Sequence, residues 1–235
     1  MAKLAALHAF CQELKARLPK CTDKPSIEAL SSVLGEQIRR ATVIAGALFH
    51  KSVDFNQDTC ADLDRVATDA WNLATKLRRD TSASILNRSF LLLQTRVFCF
   101  FLIDISRRAC YATNSNIPVK DLLHLLELSL KAGKTSLDEQ ELDLALICLQ
   151  RSADVLQQLH DLKPSSNYRP EFGRLEAEYF VLRTFLVSSR ANTRYGSGPP
   201  DLRSPGNKTM STSRNICSTN RAASSRTLTD ARPSR

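Results

Sequence analysis

An all-α fold is what this sequence predicts, and three observations predict it. Apolar residues recur at three- and four-residue spacing through nearly every segment up to about Val187, and no stretch alternates with period two. Only 7 glycines occur in 235 residues, too few for a chain built from many tight β-turns. Prolines punctuate the periodic segments or fall where a helix begins. A 43% apolar content suffices for a real core, so residues 1–188 are expected to form one domain of about seven helices joined by short turns.

The first helix is expected over about Ala2–Leu18, with Leu4, Leu7, Cys11, Leu14 and Leu18 on one stripe and Pro19 ending it. The second begins near Ser26, buries Ile27, Leu30, Leu34, Ala41, Ile44 and Leu48, and carries Gly35, Ala41, Ala45 and Gly46 for close helix approach. The third starts after Asp58 as N-cap, with Leu63, Val66, Ala70, Leu73 and Leu77 inward and Lys76, Arg78 and Arg79 in the last turn, where cations suit the helix dipole. The fourth follows Thr81 or Ser82. It is apolar nearly all round from Phe90 to Ile105, as a central helix packed on several sides should be. Asn114, Asn116 and Pro118 break the pattern. The fifth spans about Val119–Lys134. The sixth spans about Asp138–Leu162, with Leu142, Ala145, Leu149, Ser152, Leu156 and Leu159 inward and Pro164 closing it. The seventh starts near Pro170 and shows Phe172, Leu175, Tyr179, Leu182 and Leu186 on one face.

After Ser189 the grammar changes. Residues 190–235 hold eight Ser, six Thr, four Pro and ten apolar residues without periodicity, so 189–235 is expected to be a disordered tail. It also carries nine Lys and Arg against two acids, net +7 of the chain's +9. The basic charge therefore belongs to the tail. With Tyr195 as its sole aromatic, the tail lacks the interleaving that single-strand stacking needs.

Chemistry-bearing patterns are sparse. No secretory leader is expected, and the N-terminus is too poor in arginine for a mitochondrial presequence. Arg96 interrupts the most apolar stretch, so a soluble intracellular protein is the expectation. Seven widely spaced cysteines (Cys11, Cys21, Cys60, Cys99, Cys110, Cys148, Cys217) include no CxxC, and read as buried small hydrophobes. Nine residues separate Cys11 and Cys21, as in twin-cysteine proteins, but ten separate Cys99 and Cys110, so that pattern fails. His8, His50, His124 and His160 form no i, i+4 metal pair. Gly133-Lys134-Thr135 imitates the end of a phosphate loop, yet Leu128 stands where the first glycine belongs. No catalytic, cofactor-binding or metal site is expected, and the chain is not expected to be an enzyme.

The fifth and sixth helices make a degenerate tetratricopeptide unit. Gly133 and Ala145 are twelve apart, with Leu149 and Ser152 following at small-residue positions where the two helices cross. Longer stretches carry a family resemblance. Ala70-Trp71-Asn72-Leu73-Ala74-Thr75-Lys76-Leu77-Arg78-Arg79, Arg96-Val97-Phe98-Cys99-Phe100-Phe101-Leu102-Ile103-Asp104, Leu128 through Lys131-Ala132-Gly133-Lys134 to Glu141-Leu142-Asp143-Leu144-Ala145, and Glu178-Tyr179-Phe180-Val181-Leu182-Arg183-Thr184 come in matching order. Across about residues 60–187 the chain resembles the N-terminal part of the meiotic Zip-four/Spo-twenty-two family.

The resemblance implies a tetratricopeptide-like solenoid and a non-catalytic nuclear scaffold on meiotic chromosomes. Members of that family help assemble the synaptonemal complex and promote crossovers by holding synapsis-initiation proteins together. Trp71 and Asn72 are then packing and hydrogen-bonding positions within a repeat. Family chains continue with further helices where this one turns to Arg/Ser/Thr/Pro-rich text, which points to a truncated or mis-spliced product. On that view the stripe Phe172, Leu175, Tyr179, Leu182, Leu186 lacks part of its cover and leaves an apolar strip for self-association. A generic helical adaptor without a meiotic role, and a nucleic-acid binder acting through the tail, are the alternatives.

Overall fold

The computed structural model describes residues 2–48, 57–80, 86–111 and 117–195. Among them are seven helices and no strand: α1 (Ala2–Arg17), α2 (Lys24–Ala47), α3 (Gln57–Asp80), α4 (Leu86–Tyr111), α5 (Val119–Asp138), α6 (Leu142–Leu162) and α7 (Arg169–Tyr195). Residues 196–235 of the expected disordered tail, His50, Cys217 and the Thr81 or Ser82 start of the fourth helix lie outside the described residues, whereas residues 189–195, expected as the start of that tail, are the last turns of α7.

Local chemistry moves several boundaries from their expected places. Helix α2 begins at Lys24 because Asp23 is its N-cap: the Ser26 amide donates to Asp23 Oδ2 at 2.9 Å, and that bond lowers the carboxyl pKa. Pro25 sits inside the first turn, where a missing N–H costs nothing. Asp58, expected as the cap of α3, lies within its first turn. Helix α5 continues past Lys134 to Asp138, and α6 starts at Leu142 instead of Asp138. The turn between them is a Schellman closure: Glu141 N–H donates to Ser136 O at 2.8 Å and Gln140 N–H to Leu137 O at 3.0 Å. Gln140 takes the left-handed position, φ 62°, that glycine usually fills. Helix α7 runs eight residues beyond Val187. Arg190 Nη2 reaches Asp143 Oδ1 of α6 at 2.7 Å.

The packing joins both consecutive and alternate helices. Helices α3 and α4 form one hairpin, α5 and α6 another; α1 lies along α3, α2 along α4, and α7 against α5 and α6. This order is compatible with stacked hairpins of the solenoid type. Two cores result. One joins α1–α4 with Leu125, Leu128, Ala132 and Cys148; the other joins α5, α6 and α7.

Helix α4 is the centre of the first core. Phe98, Phe100 and Phe101 are fully buried, and Phe98 meets Phe10 of α1 edge-on at 5.5 Å between ring centroids. By length and composition, Arg88–Tyr111 is apolar enough to cross a membrane, but here most of it is enclosed by neighbouring helices. The α5–α6 crossing is close, as the small residues implied. A Cβ on Gly133 would stand 3.3 Å from Leu149 Cδ2, and the Ser129 and Ser152 hydroxyls meet at 2.8 Å. Gly133-Lys134-Thr135 is thus helix interior. Gly46, by contrast, faces open space and marks no close approach.

Five of the six described cysteines are buried and none is in a disulfide. Burial, with the Cys110 thiol beside it, pushes the Cys60 thiol up to about 12; burial, with Cys11, raises Cys99, and burial raises Cys148. In these three the folded state keeps protons that the unfolded chain releases above about pH 9. Their stabilisation is therefore intact below that pH and is lost as pH rises through the folded values, at about 1.4 kcal/mol per pH unit for each thiol. Urea midpoints measured between about pH 8 and pH 11 should fall less steeply for Cys60→Ala than for the parent chain. Gln140→Gly should stabilise by about 0.5–1 kcal/mol, because the left-handed turn then carries no Cβ. Thermal or urea unfolding measures it.

Candidate protein-interaction surface

The surface is held in place by a buried ionic cluster. Asp104 of α4 is fully buried and accepts from Arg108 Nε, one turn on, at 2.7 Å. It also accepts from Arg151 of α6, Nε at 2.7 Å and Nη2 at 2.5 Å. Arg151 reaches further, to Asp154 Oδ2 at 3.2 Å and to the Ala45 carbonyl, in the last turn of α2, at 3.1 Å. Arg108 donates to Gln158 Oε1 at 3.0 Å. Two carboxylates and two guanidiniums thus lock α2, α4 and α6 together. The Arg151 cation also sits where the α2 dipole is negative. Burial pushes the Arg108 guanidinium down and Asp104 pushes it back, so the pair stands only while both members are present.

A second polar joint ties the α3–α4 hairpin to the α5–α6 turn. The Arg96 guanidinium lies 4.7 Å from the centroid of the Trp71 ring, and its Nη1 donates to Thr135 Oγ1 at 3.1 Å. Beside it Arg78 Nη2 pairs with Glu139 Oε1 at 2.6 Å, and burial followed by the Arg78 charge lowers the Arg96 pKa. Trp71 is therefore a packing residue. Asn72, expected as a hydrogen-bonding position, is exposed. Two histidines find acids on other helices: His8 Nε2 lies 2.7 Å from Asp62 of α3, and His160 Nε2 lies 2.8 Å from Glu176 of α7. Among the described residues no group of three or more His, Cys, Asp or Glu is placed to hold a metal ion.

With the interior accounted for, the unusual surface is on α7. The stripe expected to be left bare is covered: Leu175, Tyr179, Leu182 and Leu186 are buried against α5 and α6, and Phe172 is half-buried. The bare apolar side chains lie on the opposite face. Phe180 is 58% exposed, Val181 54%, Phe185 61% and Val187 60%. Ala177, Thr184 and Ser188 share that face and are exposed, and a Cβ on Gly173 would meet nothing within 4 Å. Helix α7 is thus apolar on two opposite sides, one used for the fold and one left open. A groove of about 710 Å³ borders the open side, with Val181, Leu182, Phe185 and Leu137 as walls and Lys134 and Glu178 on the rim. A second cleft, about 590 Å³, lies between α1 and α2, where Leu7, Val43 and Ile44 are flanked by Arg39 and Arg40. Both arginines there are already paired with Glu36.

No protein-family model matches the chain, and no curated protein or solved structure matches it either.

Removing Asp104 leaves two buried guanidiniums facing each other. Asp104→Ala should cost about 3–5 kcal/mol of stability, read from the urea midpoint. Glu36→Ala, at an exposed ion pair, should shift the midpoint far less in the same experiment.

Proposed function

We propose that this chain is a non-catalytic helical scaffold that holds other proteins on meiotic chromosomes. The observation that carries the scaffold part is the solvent side of α7, where two Phe and two Val stand more than half exposed. Single exposed apolar residues are ordinary, but a contiguous set on one helix is typical of an interaction surface. The buried charged groups Asp104, Arg108 and Arg151 tie helices together, so their chemistry serves architecture. The meiotic part rests on the ordered stretches from Ala70 to Thr184 that resemble the Zip-four/Spo-twenty-two family. The partners on this reading are synapsis-initiation proteins in the nucleus.

Proximity labelling of the tagged chain in cells entering meiosis tests both parts. Enrichment of synapsis proteins over a mitotic control is expected, with loss on Phe180→Glu plus Phe185→Glu. Neighbours that are the same in mitotic and meiotic cells contradict the meiotic part. Neighbours unchanged by the double variant contradict the assignment of the α7 face.

A further inference from the structure

The open face of α7 has a repeat of its own. Gly173, Ala177, Phe180, Thr184, Val187 and Ala191 follow one another at spacings of four, three, four, three and four. That is the a/d pattern of a coiled-coil seam, running about 27 Å at 1.5 Å per residue. The covered stripe lies on the far side, so the seam is available while the fold stays intact. No charged residue occupies any of the six positions.

We infer that a second copy of this chain covers this seam, α7 against α7 and antiparallel about a two-fold near residue 182. The inference rests on the scaffold reading of the α7 face and names its occupant. What selects a second copy is self-complementarity. About that axis Gly173 lies opposite Ala191, Ala177 opposite Val187 and Phe180 opposite Thr184, so each layer sets a smaller side chain against a larger one. The seam's flanks agree. Glu176 falls opposite Arg190 on both sides of the axis, and Val181 falls opposite Val181 at the centre. Within the monomer these two charges hold His160 and Asp143, on α6 at either end of the seam, so they share their partners when the copies meet. Arg183 facing its own copy is the one like-charge contact, and it limits affinity.

Area sets the strength. The seam and its Val181 flank offer on the order of 500 Å² per copy, about 1,000 Å² for the pair, at the lower edge of specific interfaces. An interface of that size belongs to the weak, transient class.

Sedimentation equilibrium on the full chain, from about 1 to about 200 µM, tests the pairing. A monomer–dimer transition within that range is expected. Phe180→Glu should weaken it at least tenfold with unchanged helical content, since Phe180 makes little of the monomer's core. Glu176→Arg and Arg190→Glu should each weaken it, and the double exchange should recover it, which only the antiparallel register predicts. A parent chain that stays monomeric throughout overturns the self-pairing, and so does a dimer indifferent to Phe180→Glu. Neither result touches the scaffold reading, whose own test is the cellular labelling. Single exchanges that weaken without recovery in the double variant overturn the register.

Discussion

Asp104 is the residue on which the arrangement turns. A carboxylate with no solvent contact is tolerable only when its charge is matched and its lone pairs are filled. Here Arg108 supplies one match from the same helix and Arg151 another from α6, while Arg151 also binds the backbone of α2. Three helices from three parts of the chain must be correctly placed before the charge is satisfied. Apolar packing alone is permissive of rotations and slips. A shared buried carboxylate is not, because a shift of a turn leaves a bare charge. The cluster thus contributes register, where the surrounding leucines and phenylalanines contribute most of the burial.

From that fixed point the remaining joints follow outward. The Trp71–Arg96 stack and the Arg78–Glu139 pair align the first hairpin with the turn of the second. The close crossing at Gly133 lets Leu149 and Cys148 approach the α5 backbone, and this draws α6 into position for Arg151. Helix α7 then completes the second core with Leu175, Tyr179, Leu182 and Leu186. Its far side remains apolar and open. On the pairing inferred above, a second copy covers that side.

The legible part of the sequence was its periodicity. The inner stripes of α1, α2, α3, α6 and α7, the centrality of the Phe98–Ile103 run and the small-residue crossing at Gly133 and Ser152 each follow from local spacing, and each is present, with Ile44, Leu48, Leu73, Leu77, Leu142 and Phe172 only partly buried. What spacing cannot carry is pairing at a distance. Asp104 and Arg151 are 47 residues apart, and nothing local distinguishes them from solvated charges. His8–Asp62 and His160–Glu176 were hidden for the same reason. The α5–α6 boundary was obscured because Gln140 occupies a turn position that glycine normally advertises. The face of α7 misled in a different way. Its stronger stripe drew the inference of an uncovered surface, yet strength of periodicity marks what the fold uses, and the weaker stripe on the other side was left bare.

The central claim is that α7 presents an apolar face that the fold itself leaves uncovered and that another helix covers. Hydroxyl-radical footprinting of the full chain addresses it with one readout, the oxidation rate of each phenylalanine. In dilute solution Phe180 and Phe185 should oxidise far faster than Phe98, Phe100 and Phe101, and raising the chain concentration should selectively protect Phe180. Slow oxidation of Phe180 and Phe185 at every concentration would show that the fold already covers this face, and fast oxidation without concentration-dependent protection would show that a second copy does not.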